Sequence, residues 1–189
     1  MAVAVTVAAC SLPLAGYSAS LALSERALKV LHSLRQPLLQ LSIASPYGMR
    51  FDPVFKRRIF HEGVDYAAAP GTPVYAAQTG LVVVMRPIRG YGFYVRMRHA
   101  AGVETAYGHL TRFMPGLHAG SMLRCGDVIG FVGATGAATG PHLHFEILVN
   151  GRPIDPEAGS PRLVATCHPQ PDRVDAAYVA AYGFSPLHH

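Results

Sequence analysis

Cysteine is scarce in this 189-residue chain: Cys10, Cys125 and Cys167 are all there is. No two of them have C-x-x-C spacing, so a thiolate metal site is a poor expectation, and an odd count gives no complete disulfide framework. In an exported protein Cys125 and Cys167 are the candidates to pair, although sequence separation does not supply the geometry a disulfide needs. Long hydrophobic runs are also missing. The apolar stretch over residues 2–16 is too short to cross a bilayer as a helix. It fits the apolar region of a secretory signal, yet no basic residue precedes it, the first being Arg26. Val7-Ala8-Ala9-Cys10 resembles a lipoprotein cleavage box, so an N-terminal anchor is the one expected route to a membrane. A truncated upstream region is the other reading of residues 1–23.

Charge is modest. The net value is +5 and the sequence pI about 9.3, which favours anionic surroundings. No basic run exceeds Lys56-Arg57-Arg58, and the aromatic-interleaved basic motifs of RNA-binding sheets are lacking. Nucleic acid is therefore not an expected partner.

Half the residues are apolar, enough for one domain with a core. The 19 glycines and 15 prolines are spread through the chain rather than gathered in one tract, a pattern of many turns between short strands. Ser24 followed by Ala27, Leu28, Leu31 and Leu34 predicts an amphipathic helix with a serine N-cap, closed before Pro37. Strand-like runs follow at residues 38–44, 74–77, 81–86, 93–99, 104–110, 128–132 and 142–149. The expected fold is mainly β, an antiparallel sheet with one short N-terminal helix. The expected divisions are 1–23 as the apolar segment, 24–36 as the helix, 37–157 as the sheet domain and 158–189 as a proline-bearing tail. That tail carries one further helical pattern, Asp172 to Tyr182, and is assigned no function. Within the 93–99 run, Arg96 and Arg98 alternate with Val95 and Met97, so the arginines share one face. Solvation of that face is a more common outcome than binding of a carboxylate ligand.

The chemistry sits in two clusters. His142-Leu143-His144 places two imidazoles two apart, on one face of a strand. His61-Glu62-Gly63-Val64-Asp65 places an imidazole and a carboxylate four apart, and the chain must bend between them for both to share a pocket; Gly63 permits that bend. Taken alone, an H-x-H is more often two half-buried histidines. A third histidine in Tyr107-Gly108-His109-Leu110 and the H-x-x-x-D cluster together make coincidence a poor account. Two His nitrogens and one Asp oxygen suit Zn²⁺ with a fourth tetrahedral position open, the arrangement of catalytic rather than structural sites. Glu62 follows a candidate ligand as in H-E-x-x-H enzymes, but the residue four after His61 is Asp65, so Glu62 reads as a surface or supporting residue. Gly133, Gly136 and Gly140 surround the approach to His142, either as tight turns or as a low wall beside which a peptide can lie.

These residues carry a resemblance. From about Ser45 to Pro156 the chain resembles the lysostaphin-like M23 metallopeptidases, the LytM-type domain of peptidoglycan hydrolases. The matching segments are Ser45-Pro46-Tyr47-Gly48-Met49-Arg50, His61 through Tyr66, Pro70-Gly71-Thr72-Pro73-Val74, Tyr107 through Leu110, and Gly133-Ala134-Thr135-Gly136 running into Thr139 through Glu146. The resemblance implies one zinc ion held by His61, Asp65 and His144, with His109 and His142 as the two catalytic histidines that are not ligands. It implies a sheet with a groove, stem peptides of peptidoglycan as substrate, a place in the cell envelope, and hydrolysis of peptide cross-links. A monomer is expected. Some LytM-type domains activate a cell-wall amidase instead of cutting, and intact residues at all five positions favour the enzyme.

Overall fold

The computed structural model describes residues 23–52 and 56–157. The apolar N-terminal segment up to residue 22, the tail from 158 with its Asp172–Tyr182 helical pattern, and Cys167 with its pairing to Cys125 lie outside them.

Helix α1 (Glu25–His32) starts where the sequence predicts: the Ser24 hydroxyl accepts a hydrogen bond from the Ala27 backbone N–H at 3.1 Å, satisfying one of the helix's orphan donors. Ala27 and Leu31 on its apolar face, then Leu34 and Leu38 beyond its end, are buried in the main core. After the helix come β1 (Ile43–Ser45), β2 (Gly48–Asp52), β3 (Arg57–His61), β4 (Val64–Ala67), β5 (Pro73–Tyr75) and β6 (Gly80–Ile88). The remainder is β7 (Gly92–Arg98), β8 (Val103–Phe113), β9 (Met122–Leu123), β10 (Val128–Val132), β11 (His142–Val149) and β12 (Arg152–Ile154). Ten strands form one sheet in the order β1-β4-β11-β8-β7-β6-β9, with β10 bonded to β5 and β8, and β12 bonded to β11. Every pairing is antiparallel, and β2–β3 is a separate hairpin. Among the described residues, the mainly β, antiparallel fold with one short α-helix is the expected one.

One expected strand differs. Residues 37–40 form a bend, 41–42 are irregular, and only Ile43–Ser45 forms a strand. Leu38 drops into the core while Leu39 is exposed, and the Pro37 carbonyl accepts from Tyr75 N–H; the run is apolar because it crosses from helix to sheet. Arg96 and Arg98 both meet Glu104, at 2.6 and 3.2 Å, while Val95 and Met97 are buried behind them. The arginine face is thus a cross-strand ion-pair cluster on β7 and β8.

Strand β11, between β4 and β8, carries the site. Its alternate residues Leu143, Phe145 and Ile147 are buried among Val64, Tyr107 and Leu110 in the hydrophobic core. Period-two alternation sends His142, His144 and Glu146 to the opposite face, where the groove lies.

Candidate metal centre

Register builds the site. Pairing of β4 with β11 sets Asp65 directly across from His144. His61, at the end of β3, reaches the same point because the chain turns through Glu62-Gly63 between β3 and β4. The bend needs glycine for clearance more than for φ: a Cβ at Gly63 would lie 2.4 Å from the Phe145 carbonyl oxygen, 2.9 Å from Glu146 Cγ and 3.0 Å from His144 Cε1.

Three ligand-type atoms converge. His61 Nε2 is 3.1 Å from Asp65 Oδ1 and 3.0 Å from His144 Nδ1, and His144 Nδ1 is 2.8 Å from Asp65 Oδ1. All three residues are buried. The outer ring atoms fix which nitrogen faces inward. His61 Nδ1 lies 2.8 Å from the Pro46 carbonyl oxygen, which can only accept, so Nδ1 carries the hydrogen and Nε2 turns a lone pair inward. His144 Nε2 lies 3.0 Å from Glu146 Oε1, so the same reasoning leaves its Nδ1 facing in. One proton can bridge a single pair of these atoms, whereas a cation satisfies all three at once. Donor set and orientation therefore fit a zinc ion, and the carboxylate behind a ligating histidine is the usual supporting arrangement.

Electrostatics agree with a cation site. Burial pushes the Asp65 carboxyl up, but hydrogen bonds from His144 and His61 outweigh it and hold Asp65 well below the usual carboxylate range. Burial pulls His144 down, yet its bonds to Asp65 and Glu146 win and raise it to about 9. The raised His144 ring lies between two carboxylates, with Nδ1 toward Asp65 and Nε2 toward Glu146, a setting that favours a positive charge at this point.

His109 and His142 stand beside the trio. Strict alternation along β8 would put His109 on the core face with Tyr107. Its φ of +58° breaks the pleat, and its ring comes to 4.6 Å from that of His142 and 5.8 Å from that of His144. Its Nδ1 donates to the Thr135 carbonyl at 2.7 Å, leaving Nε2 as the lone-pair atom, and burial pushes its pKa down to about 4. His142 Nδ1 donates to the Gly140 carbonyl at 2.9 Å, and its Nε2 is 3.6 Å from Asp65 Oδ1. All five residues named from the sequence thus meet in one place.

An open groove lies at this cluster, with His61 and His144 in its lining. One wall is the β2–β3 hairpin with Arg50, Ile59 and Phe60, plus Glu62; the other is Gly90, Tyr91, His109 and Ala137. Glu62 is exposed on the rim, its Oε2 3.4 Å from the Tyr91 hydroxyl. Gly133 holds the His142 end of β11 through an isolated bridge. Gly136, at φ +75°, packs so closely on Gly90 and Gly92 that a Cβ would meet Gly90 O at 2.4 Å.

Sequence reading gave no role to Glu146, Tyr91 or Arg50. Glu146 had a legible signal: on a strand it shares a face with His144, two residues away. Tyr91 lies in a glycine turn and Arg50 on a hairpin far away in sequence, and no spacing rule reaches them.

The profile of Peptidase family M23 matches residues 59–156. This chain belongs to that family. Over 146 residues it is 44% identical to the DD-carboxypeptidase/endopeptidase Mpg of Neisseria meningitidis, covering 77% of this chain and 32% of that protein. Over 106 residues it is 41% identical to the peptidoglycan DD-endopeptidase ShyB of Vibrio cholerae, covering 56% of this chain and 24% of that one. A zinc-containing peptidase from Vibrio cholerae superposes with a TM-score of 0.60 at 35% identity, over 68% of this chain and 41% of that chain. The chain thus spans a third or less of the length of these curated relatives.

Proposed function

We propose that the chain is a zinc-dependent endopeptidase of the cell envelope that hydrolyses peptide cross-links of peptidoglycan. The observation that carries this reading is the convergence of His61 Nε2, Asp65 Oδ1 and His144 Nδ1 within 3.1 Å of one another, beside two histidines whose outer nitrogens are already tied to carbonyls. His61, Asp65 and His144 hold one zinc ion in this reading. When bound, zinc supplies a Lewis acid that makes water acidic near neutral pH and draws charge from the scissile carbonyl. The chain's own residues do the rest. His109, kept neutral by burial, and His142, with Nε2 toward Asp65, are the pair that accepts the proton of the attacking water and braces the developing oxyanion. The Thr135 and Gly140 carbonyls hold both rings in the tautomer that leaves Nε2 for this work. The shallow groove, walled partly by glycine and alanine backbone, suits an extended peptide.

Support for the substrate comes from the M23 relatives, one named as a peptidoglycan DD-endopeptidase and one as a DD-carboxypeptidase/endopeptidase. Digestion of purified sacculi of defined cross-link chemistry, with fragments identified by mass, tests it. New amino termini at cross-links are expected from the zinc-loaded chain and none from His109→Ala. Stimulation of a separate amidase without any cleavage would replace the endopeptidase reading with the activator one.

A further inference from the structure

We propose that Tyr91 is a positioning residue for the zinc: its ring and its hydroxyl hold His144 and Glu146 in line with the His61–Asp65–His144 cluster. This inference rests on the metal reading above and deepens it, because it extends the support of one ligand from a carboxylate to the groove wall.

Placement is the first ground. The turn that carries Tyr91 is pinned by two backbone bonds: the Tyr91 carbonyl accepts from His109 N–H at 2.7 Å, and the Gly90 carbonyl accepts from Ala137 N–H at 2.7 Å. The side chain therefore starts from a fixed point. Its ring lies 5.3 Å from that of His144, tilted by 57°, and 5.2 Å from that of Tyr94. Tyr94, Ala106 and Leu148 form a small buried apolar cluster on which Tyr91 packs, so apolar side chains back the ring where it meets the imidazole. Gly108 stands across from His144 in the β8–β11 register and leaves room for the contact. A Cβ there would lie 3.3 Å from His144 Cβ and 3.5 Å from Tyr91 Cδ1.

The surroundings of Glu146 are the second ground. Glu146 is 3% exposed, and a carboxylate so buried is costly unless its oxygens receive donors. His144 Nε2 supplies one at 3.0 Å. The Tyr91 hydroxyl supplies another. Burial, then the charge of Glu146 and a side-chain hydrogen bond to it, push this phenol up from its ordinary 10.0, so it donates rather than ionises. A second carboxylate competes: Glu62 on the rim has its Oε2 3.4 Å from the same hydroxyl. One O–H proton cannot serve both fully. Glu62 is exposed to water whereas Glu146 is cut off from it, and a hydrogen bond counts for most where water cannot replace it. The contacts thus run from the Tyr91 hydroxyl to Glu146, from Glu146 to His144 Nε2–H, and from His144 Nδ1 to the ligand cluster.

Zinc affinity, read by chelator competition on the full-length chain, tests this without any turnover. The melting temperature of each variant in chelator establishes that it is folded. Tyr91→Phe keeps the ring and deletes the hydroxyl; its dissociation constant for zinc should rise about 3- to 10-fold, the range of one ordinary hydrogen bond. Tyr91→Leu removes the ring as well and should add a further loss of about 2- to 10-fold. Tyr94→Phe deletes a hydroxyl from the same apolar cluster and should leave the affinity unchanged. Tyr91→Phe combined with Glu146→Gln should bind zinc within about twofold of Glu146→Gln alone, because the charge that the hydroxyl holds in place is already gone. Losses that multiply in the double variant would mean that the hydroxyl serves Glu62 instead, and would overturn the proposal. An unchanged affinity in Tyr91→Phe, or an equal loss in Tyr94→Phe, would overturn it too. These outcomes in a zinc-binding parent leave the metal reading standing. A parent chain that binds no zinc, or that keeps its affinity in His144→Ala, brings down the metal reading and the proposal together.

Discussion

At the scale of single residues, the site is defined by which nitrogen of each histidine is already occupied. Glu146 fixes that choice for His144, with their side chains 3.0 Å apart and Glu146 buried. Glu146→Gln keeps an acceptor but removes the charge, so zinc affinity measured by chelator competition should fall about 10- to 100-fold; an unchanged affinity would remove Glu146 from the site. The same ring sets a pH dependence with opposite signs in the two metal states. His144 is raised from its ordinary 6.5 to about 9 in the metal-free fold. A group so raised stabilises the fold fully below pH 6.5, and that contribution is lost as pH climbs through about 9. Zinc binding instead requires the neutral ring and releases its proton. His99 and His109, both pushed down by burial, stay neutral above pH 6.5 and do not disturb this window. Melting temperatures between pH 6.5 and 9 should therefore fall with pH in chelator and rise with pH in zinc. Parallel slopes would mean that His144 is not the shared group.

At the scale of elements, legibility followed periodicity. The runs predicted at 128–132 and 142–149 coincide with β10 and β11, because period-two alternation and flanking turns mark both. The helix was legible from Ser24 and its apolar spacing. The β2–β3 hairpin was not: its apolar Met49, Phe51 and Phe60 are exposed, so no polar-outside pattern announces a strand. His109 was legible as a residue but not as a direction, since its positive φ contradicts the alternation of β8. The element that holds His109 there is the turn around Thr135. Thr135 Oγ1 donates to the Leu110 carbonyl at 2.6 Å and accepts from Phe93 N–H at 3.0 Å, while its backbone oxygen receives His109 Nδ1–H. Thr135→Val conserves shape and loses both side-chain bonds, at about 1 kcal/mol of stability each. Activity should drop at least tenfold with zinc content unchanged, and Thr135→Ser should restore it. Zinc loss in the valine variant would instead tie this turn to the ligands.

At the scale of the whole molecule, the sheet and the helix share one core, and the motifs alone understate the folding unit. Every candidate site residue lies between 50 and 146, which suggests a minimal domain over 37–157. Yet Ala27, Leu31 and Leu34, all before that boundary, are buried against the sheet. The chain after the helix is also stitched down: Arg35 N–H donates to the Ala77 carbonyl at 2.8 Å, and Gln78 Nε2 bonds Ser33 Oγ at 2.7 Å. Tyr107 then links this corner to the site strand, its hydroxyl accepting from Ala77 N–H at 2.9 Å and meeting Thr105 Oγ1 at 2.9 Å. Each buried leucine contributes about 1.5–3 kcal/mol, so removing residues 23–36 costs on the order of 5 kcal/mol, against a typical domain stability of about 5–15 kcal/mol. A fragment of residues 23–157 should unfold cooperatively, bind one zinc and cut the same bonds as the full chain. The fragment 37–157 should melt at least 15 °C lower or fail to fold, and its zinc affinity should fall with its stability, because metal binding and folding are coupled. Equal melting temperatures for the two fragments would show that the helix is an accessory to the catalytic sheet rather than part of its core.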